Sequence, residues 1–294
     1  MSPLERRYRR LLLAYPRPYR QAHGEELLDV LLDCSAPGRT VPALKEATGL
    51  VAGGLRQRLS AATRGPAWAD GLHLGVTALS VLHLAALLPY TRVVPVWTAL
   101  SALALLAVLR GRVRLALPLI LLTGAKAVSL AYGRQLFELT LLPVDADLLT
   151  GEALFEMTGP AAVATGYALA LSGLLALAAH GGTPRTRSWW WVAAVPLLAW
   201  AGPEWMSEES GYPLSLSRIA LEVAVLGLAV WAGRRARDLR WAVGAGLYLL
   251  AASATLAQHA ELLTRQHLAY WGLLAFLTFA AAFVPHGLRR HALD

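Results

Sequence analysis

The sequence predicts an all-α fold: a polytopic membrane helix bundle of eight transmembrane helices with a small N-terminal cytoplasmic helical domain. Three observations predict it. Apolar residues come in eight long blocks, at roughly 68–90, 93–109, 115–138, 160–179, 189–206, 214–232, 241–262 and 267–285, and most reach the ~20 residues a helix needs to cross a bilayer core. The loops between the blocks alternate in charge. Mean hydropathy is +0.47 and 56% of the 294 residues are hydrophobic, gathered in blocks where a soluble domain spreads them among short amphipathic elements.

The charge alternation orients the blocks. Basic loops follow the second, fourth and sixth: Arg110, Arg112 and Arg114; Arg185 and Arg187; Arg234, Arg235, Arg237 and Arg240. Acidic loops follow the third and fifth: Asp145, Asp147, Glu152 and Glu156; Glu204, Glu208 and Glu209. Short basic loops stay cytoplasmic. Eight spans of the cell membrane with both termini cytoplasmic satisfy every loop. The formal net charge of +8 then reads as orientation and contact with anionic lipid, not direct nucleic-acid binding. Cys34 is the only cysteine, which excludes intrachain disulfides and cysteine-cluster metal sites. Residues 1–20 lack an apolar signal core and hold Pro16 and Pro18, so the first span is expected to serve as the targeting signal.

Residues 1–65 form the first predicted domain and 66–294 the membrane bundle. In the first, Leu4, Tyr8, Leu11, Leu12 and Tyr15 follow the helical period, with Arg6, Arg7, Arg9 and Arg10 on the other faces. Pro16 and Pro18 end that helix. A second helix over about 19–33 carries Leu27, Leu28, Leu31 and Leu32 on one side. Its Glu25, Asp29 and Asp33 form an acidic stripe facing the arginines in a hairpin. Pro37 and Gly38 mark a turn. A third helix is expected over about 42–60, with Thr40 as N-cap and Leu44, Val51, Leu55 and Leu59 on its inner side. None of the three is long or apolar enough to span. The alternative is that they lie flat on the membrane, which the acidic second helix opposes.

The segment Arg7-Tyr8-Arg9-Arg10-Leu11-Leu12-Leu13-Ala14-Tyr15-Pro16, followed by Tyr19-Arg20 and Gly24-Glu25-Glu26-Leu27-Leu28, resembles the permease-prefix domain. That family is a short helical module ahead of bacterial membrane domains, similar in role to the helical signalling domains that accompany PadR-type transcription factors. The Ala/Leu/Arg-rich composition looks like that of a high-GC actinobacterium. The resemblance covers about 60 residues and does not extend to the spans. It implies a cytoplasmic protein partner, a PadR-type regulator or an ABC-transporter component, and makes Arg9, Arg10, Tyr15, Tyr19, Glu25 and Glu26 candidate partner-binding residues. The exporter permeases that carry such a prefix have few spans and a large outer domain. Here the longest outer loop, about 139–159, is too short for one.

Within the bundle, Gly71 and Gly75 have the spacing of a close helix contact. No P-loop, HExxH or GxSxG motif is present, and no cofactor or metal is called for. Asp145-Ala146-Asp147 reads as a marker of the outside, and Trp189, Trp190 and Trp191 as an interfacial anchor. The informative residues are ionisable ones inside spans, which are costly in hydrocarbon and face the bundle interior. These are Lys126, Arg134 and Glu138 in the third block, Arg218 and Glu222 in the sixth, His83 in the first, and His259 and Glu261 ending the seventh.

Two readings of these groups stand. One is pairing within and between helices, Arg134 with Glu138 and Arg218 with Glu222. The other is a ligand-binding polar cavity open to the outside, lined by the third, sixth and seventh spans, with Lys126 and Glu222 paired at its floor. His83 and His259 read as packing or cavity residues before haem ligands, and nothing else supports a retinal on Lys126. His259 and Glu261, two apart, do not share a helix face, which argues against an enzyme. The expected function is a non-enzymatic sensor or regulatory subunit whose prefix binds a partner protein. The alternative is a small-molecule transporter or permease component.

Overall fold

Helical periodicity becomes eleven α-helices in the computed structural model, which describes residues 2–36, 38–62, 65–156, 158–181, 184–200 and 214–290. The chain divides into two units, Met1–Gly65 and Pro66–Asp294.

In the first unit, α1 (Pro3–Leu11) starts with a capping box. The Ser2 hydroxyl accepts the Glu5 N–H, and the Glu5 carboxylate accepts the Ser2 N–H. A 3₁₀ turn, Leu12–Ala14, leads to Pro16 in extended conformation, and α2 (Arg17–Asp33) begins there with Pro18 in its first turn, where a missing N–H costs nothing. The helices form a hairpin closed by Arg9, whose two terminal nitrogens reach both Glu25 oxygens at 2.8 and 2.9 Å. Asp29 and Asp33 are exposed. The core holds Leu4, Tyr8, Leu12, Tyr15, Leu28 and Leu50, with Leu11, Leu27 and Leu31 half-buried against it.

The third helix departs from expectation. α3 runs Leu44–Ala62, and Thr40 does not cap it. Pro42 disfavours helical backbone at Val41, and the Glu46 carboxylate takes the Ala43 N–H at 3.0 Å. The leucine stripe also faces away from the core. Leu44 is 82% exposed and Leu55 43%, whereas Leu50 is buried. Small residues decide the rotation: a Cβ on Gly54 would lie 2.7 Å from the Ala14 carbonyl carbon, so this glycine lets two backbones meet. Arg58 then donates to the Leu13 and Ala14 carbonyls at 2.7 and 2.5 Å. Leu59 lies outside the described side chains.

The second unit comprises α4 (Ala67–Leu87), α5 (Pro95–Leu109), α6 (Val113–Ala131), α7 (Pro160–His180), α8 (Trp190–Ala199), α9 (Leu216–Ala236), α10 (Arg240–Gln258) and α11 (Arg265–Arg290). Among the described residues, six segments are long and apolar enough to cross a membrane: Ala67–Tyr90, Val113–Ala131, Pro160–His180, Leu216–Ala236, Arg240–Gln258 and Arg265–Phe283. Two expected spans are shorter. α5 has 15 residues, about 22 Å at 1.5 Å per residue, and α8 has 10. The rest of the block at 189–206 falls partly outside the described residues, as do Glu204, Glu208 and Glu209.

α4 is the central rod. Its Val76 and Leu79 pack with Ala104 and Val108 of α5, Ile120 of α6 and Leu174 of α7. Gly71 and Gly75 face α10, as their spacing implies: a Cβ on Gly71 would lie 2.5 Å from the Arg240 carbonyl oxygen, and one on Gly75 3.3 Å from the Gly244 Cα. The start of α4, the end of α5, the 184–189 segment and the start of α10 meet at one end. There the Arg187 N–H donates to the Leu109 carbonyl at 2.7 Å. At the other end the Asp147 N–H donates to the Pro89 carbonyl at 2.9 Å. The basic loops that hold Arg110, Arg187 and Arg240 thus share an end, opposite the acidic 143–158 loop.

The third block is cut short. α6 ends at Ala131, and Gly133 follows in the left-handed region at φ +68°. Arg134 and Glu138 therefore lie in a loop, not on a helix. Their expected i, i+4 pair does not form, and Arg134 is exposed.

Candidate functional site

Among the described residues, three clusters of charged groups stand out inside the bundle, two of them at the end that carries the acidic loop. The first surrounds Lys126, 1% exposed on α6. Its ammonium donates to the Leu136 carbonyl at 2.9 Å and the Thr140 hydroxyl at 3.0 Å. It lies 3.7 Å from a Glu138 oxygen and 5.6 Å from the centre of the Trp97 ring. The Trp97 indole N–H donates to the same Glu138 carboxylate. Glu222, the expected partner of Lys126, is elsewhere. Because α6 stops at Ala131, the chain folds back over its own helix and brings Glu138 within reach.

The second place is a cavity of about 330 Å³. α4 supplies Leu79, Leu82 and His83; α7 supplies Val163 and Tyr167; α9 supplies Arg218. α10 contributes Tyr248 and Ala252, α8 contributes Leu198, and the acidic loop after α6 closes over it with Glu152 and Phe155. This corrects the expected lining. The third span takes no part, Lys126 is not at the floor, and neither His259 nor Glu261 is among the described lining. His259 instead meets the Thr255 carbonyl at 2.9 Å through Nδ1, and Glu261 is exposed in a 3₁₀ turn, Ala260–Leu262. His83 stacks flat on Tyr167 with ring centres 3.8 Å apart.

Arg218 and Glu222, one helical turn apart on α9, do pair. The Arg218 Nε lies 2.9 Å from Glu222 Oε1, and the Tyr248 hydroxyl donates to the same oxygen. The two side chains differ in access, at 39% exposed for Arg218 and 4% for Glu222. Arg218 thus stands in the cavity wall with its counter-ion behind it.

The third place, at the opposite end, follows from no periodicity or motif in the sequence. Asp70 in the first turn of α4 accepts Arg187 at 2.7 Å on Oδ1 and Arg240 at 2.8 Å on Oδ2. Arg240, 2% exposed, also meets Asp238 at 3.0 Å. The Arg187 Nε–H donates to His73 Nδ1 at 3.3 Å. An arginine only donates, so His73 Nδ1 accepts and its Nε2–H donates to the Val108 carbonyl at 2.8 Å. Half-buried Arg187 and buried Arg240 are therefore partners of Asp70 as well as loop charges. The available signal was Asp70 itself, an acid with His73 three residues on, inside an apolar block.

In the first unit Arg9 is held by Glu25, while Arg10 and Glu26 are exposed. Tyr15 is buried and stacks on half-buried Tyr19 at 5.1 Å, so it serves the core and not a partner surface. The Tyr8 hydroxyl donates to Glu46 at 2.7 Å, and that bond, with the Ala43 N–H, holds the Glu46 carboxyl below its ordinary value. Burial pushes the Tyr8 phenol up.

Among the described residues no group of three or more His, Cys, Asp or Glu side chains gathers to hold a metal ion. No protein-family model, curated protein or solved structure matches the chain.

Proposed function

We propose that this chain is an eight-span protein of the cell membrane, with both termini cytoplasmic, that acts as a non-enzymatic sensor or regulatory subunit. The cavity takes a small ligand from the outer side. The N-terminal module, related to permease-prefix domains, binds a cytoplasmic protein, a PadR-type regulator or an ABC-transporter component. The eight-span count rests on α5 and α8 crossing although both are short. Support comes from the basic loops, which share one end of the bundle, and from α8, which runs from Trp190 beside Arg110 (5.0 Å above the Trp189 ring) to Leu198 in the cavity wall.

One observation carries the sensor reading. α4 follows the N-terminal module directly in the chain, holds Asp70 at its first turn, and forms the cavity wall with Leu79, Leu82 and His83. A ligand that favours one position of α4 over another shifts the helix's equilibrium by its differential affinity, and the displacement reaches the residues that precede α4.

The test is capture of a partner by the full chain from a membrane extract, compared with a surface variant, Arg10→Glu with Glu26→Lys. The reading expects a cytoplasmic protein that the parent retains and the variant loses. A parent that retains no cytoplasmic protein, together with solute flux in proteoliposomes of the chain alone, would favour the transporter reading instead.

A further inference from the structure

The exposed apolar face of α3 has the chemistry of a membrane-surface contact, and we propose that α3 lies along anionic lipid beside the first span. Leu44, Val51 and Leu55 recur at helical spacing, with Thr48 between them, and all are exposed. The core takes the other side of the helix, where Leu50 is buried and Gly54 meets the Ala14 backbone. α3 is therefore apolar on two sides and covered on one. Exposed Val41, just before the helix, adds to the open side.

The edge of the stripe selects its occupant. Lys45 and Arg56 are exposed and lie about three turns apart on one flank of it. Glu46, the only acid in α3, is half-buried on the far side and accepts the Tyr8 hydroxyl. The exposed Asp29 and Asp33 belong to α2, whereas α3 packs mainly on α1 and the 3₁₀ turn. An apolar stripe edged by cations suits anionic lipid: the stripe sinks into the surface and the cations stay at the headgroups. A second copy of α3 would set the same cations against each other, with no exposed carboxylate on the face to meet them.

Chain continuity supplies the rest. Only residues 63–66 separate α3 from the membrane-length α4, and even fully extended they reach no more than ~18 Å. The span thus holds α3 near lipid, and such tethering makes a weak contact effective, at about millimolar effective concentration. In the topology proposed above, this lipid is the cytoplasmic leaflet, the anionic one.

The test places one environment-sensitive fluorophore at position 55 or at position 29, through Leu55→Cys or Asp29→Cys in a Cys34→Ser background. All the substituted side chains are exposed, so the core is untouched. The full chain is held one per nanodisc, with the same lipids on both faces, so the result does not depend on which way the chain crosses. Nitroxide-labelled lipids quench a fluorophore only where it meets the bilayer. In discs containing phosphatidylglycerol, position 55 should be strongly quenched and position 29 little. Lys45→Glu with Arg56→Glu should lower the docked-to-free ratio at least about tenfold, the effect of two basic residues at an anionic surface. Discs of phosphatidylcholine alone should lower it as well. Equal quenching at 55 and 29 overturns the contact. Quenching at 55 that survives both neutral lipid and the double charge reversal overturns anionic lipid as the partner. A fluorophore at 55 shielded from aqueous iodide, yet untouched by the lipid quencher, means that protein covers the stripe and overturns the proposal too.

Discussion

Asp70 receives the Arg240 guanidinium at 2.8 Å, although 170 residues of chain separate them. With Arg187 on its other oxygen, this carboxylate fixes the start of α4 against the start of α10 and the segment before α8. Gly71, its neighbour, lets the two helices close. Removing one partner of a buried pair is far more costly than the pair is worth, because the charge left behind is unsolvated. Asp70→Ala takes the carboxylate from half-buried Arg187 and one of two carboxylates from buried Arg240, which keeps Asp238, and is expected to cost roughly 3 kcal/mol, the lower end for breaking a buried pair. Thermal unfolding in detergent checks it. An Asp70→Ala chain as stable as the parent would mean that water reaches both guanidinium groups.

Lys126 ties α6 to the loop that follows it. Lys126→Met removes the hydrogen bonds to Leu136 and Thr140 but leaves Glu138 43% exposed and thus hydrated. It also removes a buried ammonium, whose desolvation cost offsets part of what those bonds contribute. Overall stability should change little, whereas amides at 136–140 should exchange about tenfold faster, the worth of one lost charged hydrogen bond. Hydrogen exchange by mass spectrometry separates the two effects.

In the N-terminal unit, Tyr8 and Glu46 predict an acid response. A carboxyl held below its ordinary value, 4.5, is ionised more readily in the folded chain than in the unfolded one. Its contribution to stability is whole above that value and fades as pH falls through the lowered one. Tyr8→Phe removes the hydrogen bond and should flatten this part of the pH dependence. Exchange protection of residues 3–33 and 44–58 across pH 3 to 6 is the measurement; equal slopes in parent and variant would contradict it.

Reporters fused after Arg187 or Arg240 should read as cytoplasmic, and one within 145–156 as external. An external reading at Arg237 inverts the neighbouring loops and removes the eight-span topology.

Some of this arrangement could be read from sequence because it is local. Pro16 and Pro18 predict the α1–α2 hairpin, the i, i+4 spacing predicts the Arg218–Glu222 pair, and Gly71 with Gly75 predicts a close helix contact. The partner of Lys126 could not be read, since it depends on a helix stopping at Gly133 and a loop turning back. The same holds for Asp70, whose partners arrive from distant segments with no periodic relation to it. The inner face of α3 was misread for a different reason: Gly53 and Gly54 allow an approach that outweighs burial of Leu44, Val51 and Leu55.

We propose that occupancy of the cavity is felt in the N-terminal unit through α4, which follows that unit in the chain. The most direct test is hydrogen exchange of residues 3–33 in the full chain in nanodiscs, comparing the parent with Ala252→Leu, which fills the cavity, and with Leu250→Phe, at an exposed position on the same helix (57%). Changed exchange in the N-terminal unit is expected for Ala252→Leu and none for Leu250→Phe, with both variants folded. Unchanged exchange with the cavity filled would contradict it.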